Sequence, residues 1–599
     1  MNKQTHYFHI PVMGVAYTID TPLKVAPYGI DSVISLVDNV LLEKLRSVYS
    51  TKFNLPYQEI SKKADDYMAK RVTAYLNLIN KLTKEKFEDL KNNFESKKSD
   101  ILDYFEMLPD SSTLKQSFIS KWHTNYHDLK NWLKDNLSMG SIDVNIMTKV
   151  DKVNYKNGEK LPQEYNDAHA ALRGFANSDL ASSLILSAGM SPRLYGYIEN
   201  FDDFFPDENA YIKKKIVLKV SDYRSALIQG KFLAKKGLWV SEYRIESGLN
   251  CGGHAFATDG FLMGPILEEF TENRHNLEKE ILSILQKALK QKNKPVPASL
   301  PLKITAQGGV GTNEEFNFLL NHYKVDSVGW GSPFLLVPQA TTVDEYTLKE
   351  LAKAREEDLY LSQISPLGVP FNTLRRASAT LKKKAKALKG RAGSSCPKEY
   401  LVSNTDYTDK PICTASRQYQ FLKLKELDEA NLPKAEYDKK FEKITDPECL
   451  CVGLSEPAIL THQIDYKVKD NGVSVCPGPN MAYFDKIVSL KEMVGHIYGK
   501  NNLLRNTYRP HMFIKELNLY INYLKDKFKQ TDRENKKEQK YLEKFVHNLE
   551  KGWAYYHRLF TGLTHSFADN KEQIIADLEK AKVQIDIIKT DIMASSQVN

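Results

Sequence analysis

The chain of 599 residues contains little cysteine and no long apolar run. Six cysteines in a chain of this length argue against a disulfide-rich secreted scaffold. No run approaches the roughly 18 to 20 apolar residues that a membrane-spanning helix needs. The first residues also lack the succession of basic, apolar and small residues that marks a signal peptide. We therefore expect a cytoplasmic protein that does not enter a membrane.

Positively charged residues slightly outnumber negatively charged ones. There are 84 Lys and Arg against 75 Asp and Glu, which gives a formal net charge of +9. Much of the excess lies in a run at 375–391 without interleaved aromatic residues. This pattern favours a solvated helix or linker over a nucleic-acid surface. We expect a small-molecule substrate rather than nucleic acid as the partner.

Apolar runs alternate with helical patterns through the first 340 residues and predict eight strands. Alternation of this kind predicts the α/β class, with a (β/α)8 TIM barrel as the fold and a doubly wound open sheet as its competitor. The barrel is favoured because glycine and polar residues follow several strands, where barrel enzymes place their sites. The runs lie at 7–13, 32–37, 142–147, 182–190 and 216–220, and within LWVSEYR, LPLKITAQGG and VDSVGWG.

The composition of the sequence divides the chain into four regions. We predict a barrel formed by 1–39 and 141–345, a helical insertion at 40–140, a basic helical and cysteine-containing region at 346–500, and a helical region at 501–599. The insertion is Lys/Glu-rich with apolar residues at helical spacing. A structural extension is the favoured interpretation, with a lid or an oligomer surface as alternatives. The long helices make a homodimer plausible.

Two glycine-rich segments follow the last two predicted strands. They are GGVG at 308–311 and GWGS at 329–332, here called the GGVG loop and the GWGS loop. Glycines let backbone amides approach a phosphate, and the loops after strands 7 and 8 are the usual phosphate site of barrels. The hydroxyl of Ser332 would add a donor. Ordinary turns are the alternative, but two such loops in the right order favour phosphate binding.

His254 follows two glycines after the sixth predicted strand. A lone histidine is more often structural than catalytic. This one is expected at the same end of the barrel as the two glycine loops, where a base that titrates near neutral pH is useful. We therefore predict that His254 belongs to the active site.

These segments together resemble the nitronate monooxygenase, or 2-nitropropane dioxygenase, family of FMN-dependent β/α-barrel enzymes. Flavin-dependent enoyl reductases share that barrel. The resemblance covers roughly residues 8–39 and 141–340, and leaves the helical insertion and the long C-terminal extension outside it. It is carried by IPVMG, DVNIM, LILSAGMSP, GLNCGGH, ITAQGGVGT and VGWGSPFL, in the family's order.

The resemblance implies a cofactor, a base and a reaction. His254 would remove a proton from a small carbon acid, the flavin would accept the electrons, and oxygen would reoxidise it. The resemblance supports the fold and the flavin more strongly than it supports the substrate. The FMN-binding residues implied are Met13, Gly14, Asn145, Gly252, Gly253, Gln307, Gly308, Gly309, Gly331 and Ser332.

The chain departs from the family pattern at three places, of which Gly331-Ser332 in place of Gly-Thr preserves the hydroxyl. Asn250 and Cys251 stand where the family has Glu-Ala before Gly-Gly-His, and Pro333 stands where the family has Arg. A positive charge near the phosphate is therefore missing from that position. Cys251 is interpreted either as a small buried residue or, less favoured, as a contact to flavin or substrate.

Five cysteines fall within about 80 residues in the C-terminal half. Thiolates clustered on loops are a ligand set for zinc or an iron–sulfur cluster. No CxxC pair occurs, so buried incidental thiols are the alternative. A cluster near the barrel mouth would let the flavin exchange electrons with a partner protein, which favours a reductase. The candidate ligands are Cys396, Cys413, Cys449, Cys451 and Cys476.

Three functions follow from the sequence. The first is an FMN-dependent oxidoreductase of the nitronate monooxygenase type. The second is a flavin-dependent enoyl-type reductase fed by a metal site. The third is a barrel without turnover that acts as a binding or assembly protein.

Overall fold

The structure is a computed structural model that describes residues 5–93, 96–122, 126–187, 189–465, 472–531 and 535–597. Its centre is a closed barrel of eight parallel strands, and each strand pairs with the next one along the chain. The last strand closes on the first, with Val328 opposite Phe8. This order confirms the predicted TIM barrel over the open sheet. The strands are β1 (Phe8–Ile10), β2 (Asp31–Ser35), β3 (Ile142–Met147), β4 (Ser182–Ser187), β5 (Lys214–Val220), β6 (Val240–Glu246), β7 (Lys303–Gln307) and β8 (Ser327–Gly329).

The strands form where apolar and β-branched residues run without a helical period. In β4 and β5, Leu184, Ile216 and Leu218 are almost fully buried. Strands of a parallel barrel are covered on both faces, by the barrel interior and by the helices, so they read as near-continuous apolar runs. For this reason all eight strands could be predicted from the sequence.

A helix follows each strand and packs on the outside of the barrel. Several begin at an acidic or hydroxyl side chain that accepts a hydrogen bond from the first turn, among them Asp38, Asp222, Thr312 and Asp344. Such caps satisfy amides that have no partner within the helix. In strand order the helices are Thr21–Val25, Asn39–Lys52, Asp167–Ala176, Pro192–Tyr197, Tyr223–Ala234, Met263–Gln291, Asn313–Asn321 and Glu345–Lys353.

The segment between β2 and β3 is helical. Its long helix Tyr67–Asn92 buries Tyr75 and Ile79 in the same core as the barrel. The shorter helices build a separate small core, in which the rings of Phe105 and Phe118 stack. Those helices are Lys98–Glu106, Thr113–Lys121 and Tyr126–Asn136.

The chain after β8 covers the barrel rather than standing apart from it. Leu517, Phe545 and Leu578, each on a different C-terminal helix, belong to the same apolar core as the barrel. Within the described ranges, no helix combines the length and the apolar character needed to cross a bilayer. The helices are Ser378–Leu388, Arg417–Glu429, Lys434–Thr445, Leu450–Gly453, Glu456–Thr461, Leu490–Ile497, Met512–Gln530, Lys536–Gly562 and Lys571–Gln597.

A β-hairpin in this region reaches the mouth of the barrel. Its strands Leu359–Ser362 and Phe371–Leu374 pair antiparallel, and the second also pairs with the short strand Gly253–His254 that follows β6. This hairpin, here called the 359–374 hairpin, therefore makes a three-stranded sheet with the loop that carries His254.

Candidate functional site

A cavity of about 580 Å³ opens at the carboxyl ends of the barrel strands. This is the end of a barrel at which catalytic sites lie. All the residues predicted to bind FMN, together with His254, line this cavity. They come from the ends of five different strands and the loops that follow them, so the fold brings together residues that are hundreds of positions apart in the sequence. Their individual roles stay predictions.

The GGVG loop adopts a backbone that only glycine accommodates. Gly308 and Gly309 have φ of +134° and +78°. A Cβ at Gly309 would lie 2.0 Å from the Asn250 side-chain nitrogen, and one at Gly308 would lie 2.6 Å from Cβ of Ser247. Real Cβ atoms do not approach other atoms so closely. The loop is therefore packed directly against the segment that leads to His254.

Both glycine loops present amides without acceptors. Among the residues that the structure describes, the amides of Gly309, Val310, Gly331 and Ser332 donate no hydrogen bond to a protein group. The hydroxyl of Ser332 accepts from the amide of Gly478 at 2.7 Å, so its own proton is left to donate. Free backbone amides beside one cavity suit a phosphate. This arrangement fits the phosphate of FMN.

The inner wall of the cavity carries polar atoms that lack partners. The side-chain oxygens of Asn145 and Gln307 are buried without a hydrogen bond. The Gln307 amide nitrogen donates to Glu246 at 2.7 Å, and Glu246 is paired with Lys219 at 2.6 Å. A buried acceptor left unpaired costs about 1–3 kcal/mol. Both side chains line the cavity, but the two oxygens themselves have almost no accessible surface, so a bound molecule would reach them only after the side chains turn.

His254 is held by the 359–374 hairpin. Its Nε2 lies 2.7 Å from the Ser365 hydroxyl, and its ring stands edge-on to Phe371 with the centroids 5.0 Å apart. Burial, with a smaller contribution from the positive charge of Lys149, lowers the pKa of His254 to about 4. The sequence predicted a base that titrates near neutral pH, whereas burial places the pKa lower. The imidazole is therefore neutral at pH 7 and able to accept a proton.

The sequence did not identify Ser365 or Phe371, which reach the site from the hairpin. It also missed Lys149, whose exposed side chain lines the cavity and stands 4.8 Å above the Phe256 ring. No local motif marks these residues, because each is recruited by packing rather than by its neighbours in the chain.

Cys251 lines the same cavity, next to the GGVG loop. Its Sγ lies 3.6 Å from the carbonyl oxygen of Gln307. Burial, together with the nearby Glu246 carboxylate, raises the pKa of the Cys251 thiol well above its usual value. The side chain therefore faces the site as a neutral thiol rather than as a thiolate nucleophile.

The C-terminal cysteines do not all lie together. Cys396 and Cys413 are within hydrogen-bonding distance, and this contact lowers the pKa of Cys396 to about 7. Cys451 lines the barrel cavity and is also near enough to Cys396, Cys413 and Cys449 to interact with them electrostatically, whereas Cys476 lines the cavity away from these four. All six thiols are free. In the described part of the chain, no three His, Cys, Asp or Glu side chains are arranged to hold one metal ion. The predicted metal centre, for which Cys449 is also a candidate ligand, stays a prediction.

No family model matches the chain, and no curated protein matches it. Among solved structures, the chain is similar to the "enoyl reductase domain of MlnA from the macrolactin biosynthesis cluster from Bacillus amyloliquefaciens". The identity is 14%, the match covers 62% of this chain and 84% of that chain, and the TM-score is 0.33. A likeness this weak carries no argument about function. The barrel itself rests on its strand order.

Proposed function

We propose that the protein is an FMN-dependent oxidoreductase of the nitronate monooxygenase type. The observation that carries the proposal is one cavity at the carboxyl ends of the strands that contains both glycine loops and His254. The unpaired amides suit a phosphate, and the side chains of Asn145 and Gln307 line the same cavity. The buried neutral histidine beside them suits proton transfer.

In this proposal His254 takes up the proton that leaves a small carbon acid. Bound FMN supplies the acceptor for the electron pair that the departing proton leaves behind. The Ser365 hydroxyl fixes the orientation of the imidazole through its hydrogen bond to Nε2. The 359–374 hairpin excludes water from one side of the ring, because Phe371 covers it. These groups make the base available at neutral pH without a change of protonation before substrate binds.

A flavin-dependent enoyl-type reductase is the second candidate. It is favoured by the apolar residues among those that line the cavity, which include Val37, Val150, Met190, Leu401 and Leu454. Such a lining suits the hydrocarbon part of an unsaturated substrate.

The visible spectrum of the purified protein tests the flavin. We expect FMN, either retained or added, to bind in equimolar amount with the shifted spectrum of a buried isoalloxazine. Under anaerobic conditions a nitronate should bleach it, and air should restore it. Bleaching only by a reduced electron donor, followed by reoxidation with an enoyl substrate, selects the reductase. Failure of added FMN to bind contradicts both and leaves a binding or assembly role.

Replacing Lys149 by methionine should move the acid limb of the pH–activity profile to higher pH. The positive charge disfavours the imidazolium of His254, so removing it raises the pKa of His254. We expect a shift of up to about 0.7 pH unit, since one charge at 4 Å in water is worth about 1 kcal/mol. The measurement is kcat/KM against pH, checked by an NMR titration of the histidine ring.

Lys152→Met is the matched control for this prediction. Lys152 lies on the same loop but acts on Asp167 and Cys396 rather than on His254. Its variant should leave the acid limb in place. An unmoved limb in Lys149→Met, or one displaced to lower pH, contradicts the assignment.

A further inference from the structure

We propose that Arg509 is a positioning residue for the flavin phosphate, and that it acts by orienting the peptide between residues 309 and 310. The inference rests on the proposed function. It assigns part of the cofactor site to the C-terminal region, which lies outside the barrel and outside the family resemblance.

All three nitrogens of the Arg509 guanidinium group donate hydrogen bonds. Nη2 donates to the carbonyl oxygen of Gly309 at 2.6 Å. Nη1 and Nη2 each donate to one oxygen of the Glu315 carboxylate, at 2.7 and 2.8 Å. Nε donates to the side-chain oxygen of Asn480 at 3.0 Å. The Arg509 side chain is 8% exposed and that of Glu315 is 2% exposed, so this is a rigid, buried arrangement.

Peptide planarity turns this contact into an orientation at the cavity. The C=O and N–H of one peptide unit point in opposite directions. Because Arg509 holds the Gly309 carbonyl on one side, the Val310 N–H is directed to the other. That amide has no acceptor among the described residues, and Gly309 and Val310 both line the cavity. Arg509 therefore presents a free donor where the phosphate is expected.

The next two carbonyls of the loop are held in the same manner. Asn480 donates to the Val310 oxygen at 2.7 Å, and His496 Nε2 lies 3.0 Å from the Gly311 oxygen. Three successive carbonyls are thus bound by side chains that follow the barrel in the sequence. A Cβ at Gly311 would lie 2.7 Å from the Arg509 guanidinium, so this glycine accommodates the arginine itself.

The contribution of Arg509 is geometric rather than a net charge. Its positive charge is neutralised by Glu315, whose pKa is lowered chiefly by the charge of Arg509 against the effect of burial. Glu315 also accepts from the amides of Gly311 and Met512. Arg509 therefore does not replace the cation that is missing at Pro333. A planar fork with several fixed donors is required here, and lysine does not supply it.

The test compares FMN with riboflavin, which has the same ring system and no phosphate. In Arg509→Lys we expect the Kd for FMN to rise by about tenfold or more, the scale of one lost charge-assisted contact. The Kd for riboflavin should stay within about twofold, since the ring contacts are untouched. Fluorescence titration measures both, and circular dichroism with thermal unfolding monitors the fold. If Arg509→Lys does not fold, the double variant Arg509→Met with Glu315→Gln removes both buried charges together.

Arg505→Lys is the matched control. Arg505 holds the carbonyls of Ala352 and Ala354, and it does not line the cavity. Its variant should leave the preference for FMN over riboflavin unchanged. Equal weakening of both ligands in Arg509→Lys, or no weakening, overturns the inference. A wild-type protein that binds neither ligand overturns the proposed function, and this inference with it, before any variant is compared.

Discussion

Replacing His254 by alanine should lower turnover by about 10²- to 10⁴-fold while the flavin stays bound, the range expected for loss of a general base. The substrate proton then has no acceptor within the cavity at that position. In the proposed site the flavin phosphate would be held instead by the glycine loops, which the substitution does not touch. Steady-state kcat and the flavin content of the same preparation measure the two effects separately.

His275→Ala is the matched control for this variant, because His275 is exposed on the helix Met263–Gln291. It should behave as wild type. Turnover of His254→Ala close to the wild-type rate shows that the base assignment is wrong. Loss of flavin together with turnover shows that His254 holds the cofactor rather than the proton.

Replacing Gly309 by alanine should weaken FMN binding by about a hundredfold or more. The left-handed backbone alone costs a non-glycine residue about 1–2 kcal/mol. The added Cβ would also lie 2.0 Å from the buried Asn250 side chain, so either the loop or the segment leading to His254 must move. Either movement displaces the amides of the GGVG loop. The Kd for FMN, determined by fluorescence titration, measures the effect.

Gly390→Ala separates backbone strain from the loss of the phosphate loop. Gly390 has φ of +67°, comparable to that of Gly309, but a Cβ there meets nothing within 4 Å. It does not line the cavity. This variant should lose about 1–2 kcal/mol of folding stability and keep its affinity for FMN. If both variants lower affinity equally, strain transmitted through the fold explains the result and the GGVG loop is not a phosphate site.

The pH dependence of turnover in the wild-type protein follows from the burial of His254 against the 359–374 hairpin. The imidazole of His254 is neutral above its lowered pKa of about 4, so turnover should not fall between pH 7 and pH 5 through protonation of this base. The sequence alone predicts a loss in that interval, because an unperturbed histidine titrates there. The pKa of His254 is lowered by burial, and the 359–374 hairpin that packs against its ring lies more than a hundred residues away in the sequence.

The sequence by itself determined the barrel and the glycine loops. Strand and helix periods are local properties, and turn glycines mark strand ends wherever they occur, so β1 to β8 and the loops at 308–311 and 329–332 could be predicted from the residues alone. His254 was identified for the same reason, since its position after β6 fixes the end of the barrel at which it lies.

Only the tertiary structure decided what surrounds these residues. Ser365 reaches His254 from the 359–374 hairpin, and Arg509 reaches the GGVG loop from just before the helix Met512–Gln530. It also separated Cys476 from the contact between Cys396 and Cys413, although the five C-terminal cysteines look alike in the sequence. Contacts over such sequence separations depend on how apolar faces pack in three dimensions, and no local pattern encodes them.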